Sequence, residues 1–168
     1  MPEASELLYI KDGGIADNQW RTLPADFTGE LPEGHCLLPL DYWLQKRETL
    51  STGPTLGIWL NSDQEVEEIG PEANDFPVIA INFPSFMDGR GFSLGRLLRE
   101  RYGFKGELRA IGNIIRDQLF YLKRCGFNGF EMPLAGAPEE VIESLAIFSE
   151  PYQGAVDSPE PLFKRHAL

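Results

Sequence analysis

The sequence predicts an α/β protein: an open, mainly parallel five-stranded sheet of consecutive βα units, flavodoxin- or Rossmann-like or a partial barrel, preceded by an antiparallel hairpin. Three observations carry this. Between residues 35 and 148, short apolar runs alternate five times with helical segments, and such units build parallel sheets through right-handed crossovers. One run, FPVIAINF, is rich in the β-branched residues that strands favour. The length of 168 residues suits one domain with a single core, and falls short of the roughly 250 usual for a complete eight-unit barrel. The expected organisation is one α/β domain over residues 1–150, with the hairpin at 7–23 and the βα units at 35–148, and a tail over 151–168.

Taken in order, LLYI-KDGG-IADNQWRTL places a turn signal between apolar runs, which predicts the hairpin. PADFTGELPEG, residues 24–34, is loop. HCLLPL is the first strand of the repeat, and DYWLQKRETL its helix, with Asp41 as the expected N-cap. TLGIWL is the second strand. NSDQEVEEI is a short acidic helix, where Ser62 and Glu65 have capping-box spacing. FPVIAINF is the third strand, and the loop PSFMDGRG leads into the helix SLGRLLRERY. ELRAIG and NIIRDQLFYLKRC form the fourth unit. GFEM and PEEVIESLAIF form the fifth, with Pro138 at the first helical position and glutamates in the first turn. Gly103 and Gly126 are expected to end helices with a left-handed cap.

Composition narrows the function. The formal net charge is −11, which argues against nucleic-acid binding, where a basic domain is expected. No run of about 18 apolar residues is present, so no membrane span is expected. The start, MPEASELLYIKDGG, lacks the basic and apolar regions of a secretory signal, and the expected location is cytoplasmic. Two cysteines (Cys36, Cys125) and two histidines (His35, His166) are too few and too scattered for a structural zinc site or an iron–sulfur cluster.

Against this acidic background, residues 88–124 carry nine Lys and Arg and only four acids, a formal +5. Such a reversal marks a candidate anion or partner surface. In open parallel sheets, ligands bind beyond the carboxyl ends of the strands. That rule gathers Asn82, Asp88, Gly89, Arg90, Gly91 and Ser93 after the third strand. It adds Asn113, Arg116, Asp117 and Gln118 after the fourth, and Glu131 at the end of the fifth. In DGRGFS, Gly89 and Gly91 would let the backbone approach a ligand and Ser93 would cap the next helix. Arg90 would close on an oxyanion as a fork, or pair with Asp88 of its own turn. Asp88, Asp117 and Glu131 are the candidate general acids or bases. The spacing Gly89-x-Gly91-x-x-x-Gly95 departs from the dinucleotide fingerprint, and no P-loop or nucleophile elbow is present.

The motifs DGRG-F-S, LLRERYGFKGELRAIG and RDQLFYLKRCGF, in this order, resemble the bacterial domain of unknown function family 934, over roughly residues 37–148. The resemblance implies an oxidoreductase of sulfite reduction, in proteins typically encoded beside the sulfite reductase haemoprotein. It carries Asp88, Gly89, Arg90, Gly91, Ser93, Arg116, Asp117 and Gln118 over as motif positions. Sulfite reduction needs sirohaem and an iron–sulfur cluster. With no thiolates for a cluster and no flavin or nicotinamide fingerprint, the expectation is a cofactor-free accessory protein. It would dock the haemoprotein or another redox protein, or bind a small anion, through its Arg-rich edge. The alternative is a small oxidoreductase or sulfur-metabolite enzyme with an oxyanion site at the DGRG loop.

Overall fold

The computed structural model describes residues 7–146, and the expected tail at 151–168 lies outside the described residues. The βα units form as expected. Strands β4 (His35–Pro39), β5 (Leu56–Asn61), β6 (Val78–Phe83), β7 (Glu107–Gly112) and β8 (Gly129–Pro133) lie side by side in chain order, all parallel. The sheet is larger than the five strands expected. Strand β1 (Leu7–Lys11) joins β8 antiparallel, and β2 (Gly14–Ile15) pairs with β1 across the Asp12–Gly13 turn. Strand β3 (Trp20–Thr22) runs parallel to β4 at the opposite edge. The result is an open, curled sheet of eight strands, order β2-β1-β8-β7-β6-β5-β4-β3, of the partial-barrel kind rather than a five-stranded open sheet.

The curl follows from chain length. Ile15 lies on one edge of the sheet and Trp20 on the other, yet four residues separate them. An extended chain advances about 3.3–3.6 Å per residue, so five steps span at most roughly 18 Å. Eight strands laid flat, about 4.8 Å apart, would separate the edges by roughly 34 Å. The sheet must therefore bend until its edges approach, and residues 16–19 become a strap across the gap. The expected hairpin over 7–23 is thus corrected: it ends at Ile15, and Trp20–Thr22 belong to the far edge.

Helices α1 (Leu40–Lys46), α2 (Arg90–Glu100), α3 (Leu119–Arg124) and α4 (Pro138–Ser144) follow β4, β6, β7 and β8. The segment after β5 forms two 3-10 turns, Val66–Glu68 and Gly70–Asp75, in place of the expected acidic α-helix. Helix α2 starts three residues before the expected Ser93, and Leu40 rather than Asp41 opens α1. Gly103 and Gly126 have φ of +60° and +103°, the left-handed conformation expected after α2 and α3.

The main core is the layer between helices and sheet, where Ile58, Leu60, Ile79, Ile81, Phe83, Leu108, Ala110 and Phe130 meet Trp43, Leu98, Leu119 and Leu122. Helix α2 presses close because Gly91 and Gly95 share one face. A Cβ at Gly91 would stand 2.5 Å from the Phe83 ring, and one at Gly95 would run into the Phe127 ring. On the concave face the alternate residues form a second, smaller cluster of Leu37, Trp59, Val78, Ala80 and Ile111.

Candidate functional site

At the carboxyl ends of β5 and β6 the chain builds a polar rim. Asp88 stands just ahead of α2, whose N-cap is Gly89, and its Oδ1 accepts hydrogen bonds from the Arg90 backbone N–H at 3.1 Å and from Arg90 Nε at 3.0 Å. Its Oδ2 accepts from Arg90 Nη2 at 2.7 Å and from the buried Ser62 hydroxyl at 2.6 Å. The Arg90 side chain, then Ser62, hold the Asp88 carboxyl well below the usual carboxylate range, and Asp88 raises Arg90 in return. Of the two expectations for Arg90, the structure has the pair: the fork closes on Asp88 of its own turn. The Ser62 hydroxyl serves Asp88 rather than a capping box with Glu65. Gly89 is exposed beside open space, whereas Gly91 is buried against Phe83 as a packing residue. Ser93 sits exposed in the second turn of α2 and is not its cap.

Beside this turn, Asn82 donates to the Asn61 side chain at 2.8 Å, while the Asn61 N–H is held by Gln64 and Gln64 reaches Asp41. Asn113 donates to the Pro84 carbonyl at 2.7 Å. Gln118 joins the two loops. Its amide donates to the Phe86 carbonyl at 2.7 Å, and its oxygen accepts from the Ile115 N–H at 3.0 Å. The loops it pins present Phe86, Met87 and Ile115, exposed by 55%, 82% and 41%. Arg116 reaches Glu140 at 3.5 Å with both side chains about half exposed. Asp117 lies on the outer side, in a groove between α2 and α3.

Glu131 belongs to a different place, the interior of the half-barrel. It is the outer member of a buried network on the concave face. The fully buried Arg109 donates to Glu107 at 2.7 Å, to the Tyr9 hydroxyl at 2.9 Å and to Asn18 of the strap at 3.0 Å. Its guanidinium also lies 3.6 Å from Glu131. Tyr9 donates to Glu107 at 2.7 Å, Asn18 donates to Glu131 at 3.0 Å, and Lys11 stands 3.7 Å from Glu107. Gly129 makes room for this: a Cβ there would stand against a Glu107 oxygen. Burial, opposed by Arg109 and Asn18, pushes the Glu131 carboxyl up. Burial and the bond to Glu107 push the Tyr9 phenol up as well.

Sequence reasoning singled out Glu131 but assigned it to the carboxyl edge rather than the interior, and it missed Tyr9, Asn18, Glu107 and Arg109. The available signal was the pair of charges two residues apart in ELRAIG, since i and i+2 on a strand share a face. The three carboxylate candidates are not brought together. Asp88 is bound to Ser62 and Arg90, Glu131 to Asn18 and Arg109, and Asp117 lies on the exterior. Nor do the nine cations of residues 88–124 make one patch. Arg99 is spent on the carbonyls of Phe104, Gly106 and Gly126, and Arg109 on the interior. Arg90, Arg96, Arg101 and Arg116 each meet a carboxylate at the surface. Among the described residues, no group of three or more His, Cys, Asp or Glu side chains could hold a metal ion, and no helix is long and apolar enough to cross a membrane.

Fold and site together define an α/β half-barrel with a charged network locked inside and an apolar rim at its carboxyl edge. A family model described as bacterial protein of unknown function (DUF934) matches residues 57–163, and the chain belongs to that family. No curated protein and no solved structure matches it.

Proposed function

We propose that the protein is an accessory component of assimilatory sulfite reduction that docks a redox protein, the sulfite reductase haemoprotein being the first candidate, through its carboxyl-edge rim. The pathway comes from the family resemblance. The docking reading is carried by one observation: Phe86, Met87 and Ile115 stand exposed together, pinned by Gln118 and flanked by Arg90 and Arg116. Large apolar side chains brought together at a surface mark interaction sites, and aromatic residues, Met and Arg are the types enriched there. The enzyme alternative has less support, because the Arg90 fork is filled by Asp88 and the three carboxylates are dispersed. The test is co-purification of the chain with the haemoprotein at low salt. The expected result is a complex that the double substitution Phe86→Ala, Met87→Ala weakens, with folding unchanged because neither side chain is buried. Absence of any complex at low salt refutes the docking reading.

A further inference from the structure

At the end of the sheet opposite the rim, a pocket of about 540 Å³ opens between the β1–β2 turn, the end of α3 and the end of α4. Its floor is apolar and nearly fully buried, made by Phe127, Phe130 and Leu145, and its lip is exposed at Gly13 and Lys123. We infer that the chain closes this pocket itself, with the ring of Phe148, two residues past the last described one, as the occupant. Three observations carry this. Leu145 is already part of the wall, and Phe148 follows it by three residues, a reach of at most roughly 11 Å. Val141, Ser144 and Leu145 are the buried positions at the end of α4, and the same i, i+4, i+7 stripe falls next on Phe148. The family match does not stop with the described residues but runs on to residue 163, so it takes in Phe148.

The tether selects this occupant over others. A side chain three residues from the wall meets the pocket at an effective concentration of about millimolar or more. A second copy of the chain, a partner segment or a free ligand must compete with it from dilute solution. Charge selects nothing here, because the polar groups around the pocket are mixed, Asp12 against Arg99 and Lys123. What the pocket offers is apolar, largely aromatic surface, and a phenyl ring packs on aromatic neighbours edge-to-face or offset. The seat lies apart from the rim, so it stands or falls independently of the docking reading.

The full chain is made with the photoreactive side chain p-benzoylphenylalanine at position 148 and irradiated. Isotope-labelled and unlabelled copies are mixed, so that bonds within one chain and between two chains separate by mass. The expected result is a bond within one chain to residues 12–13 or 123–130, which hold the far walls of the pocket. Native-state hydrogen exchange then compares the unmodified chain with Phe148→Ser. The Phe127 and Asn128 amides, held by the Leu122 and Leu108 carbonyls, exchange faster in the variant by about tenfold or more, as uncovering one phenyl ring predicts. A bond between two chains, a bond to other parts of the chain, no bond at all, or unchanged exchange in Phe148→Ser each overturns Phe148 as the occupant.

Discussion

Replacing Arg109 by Met removes the centre of the interior network at almost constant side-chain length. The guanidinium is fully buried, holds Glu107, Tyr9 and Asn18 by hydrogen bonds, and faces Glu131. Its loss leaves two carboxylates inside the half-barrel. Glu107 keeps the Tyr9 hydroxyl and a distant Lys11, and Glu131 keeps Asn18. Breaking a buried ion pair by removing one partner costs about 3–5 kcal/mol, mainly because the other charge is stranded. For a chain of this size that corresponds to a fall of roughly 6–20 °C in Tm, at about 2–4 °C per kcal/mol. The loss has a pH signature. A stranded carboxylate takes up a proton more readily in the native state than in the unfolded one, so the penalty shrinks towards pH 5 and grows towards pH 8. The double substitution Arg109→Met, Glu107→Gln leaves one fewer stranded charge and regains part of the loss, so the two changes are non-additive. Urea unfolding followed by circular dichroism at three pH values measures all of this. A single variant within about 1 kcal/mol of wild type, with an unchanged pH profile, refutes the reasoning, because it means that water already reaches the network.

Two further outcomes follow from the packing and the titration. Glu131→Gln keeps an acceptor for Asn18. Because burial raises the native carboxyl above its unfolded value, wild type is most stable, on account of this group, below the unfolded pKa, and loses that contribution as pH rises through the native one. The variant flattens this part of the pH–stability curve and equals or exceeds wild type at pH 7; a variant that is less stable at pH 7 with an unaltered slope contradicts it. Gly95→Ala gains about 1 kcal/mol of helix propensity but drives a methyl into the buried Phe127 ring, and overpacking costs about 1–3 kcal/mol. The net expectation is a lower Tm, and a higher Tm counts against the close approach of α2 to the sheet.

Much of this architecture is local and was readable before any coordinates. Apolar runs such as FPVIAINF, the glycines after α2 and α3, and the Leu119/Leu122 stripe specify strands, helix ends and a buried helix face through nearest-neighbour chemistry alone. The Asp88–Arg90 turn was also within reach, because its partners stand two residues apart. The sequence alone did not determine where β1 and β3 pair, since strand partners are chosen by long-range burial and two- or three-residue strands carry little pattern of their own. It counted Arg99 and Arg109 among surface cations, because a charged residue reveals its burial only when its far partners arrive, here Tyr9 and Asn18 for Arg109 and Gly126 and Asn128 for Arg99. The same limit hid the role of Gly91: a glycine that admits a ligand and one that admits a phenyl ring are identical in sequence. Only the packing of α2 onto β6, which brings the Phe83 ring against Gly91, decides between them.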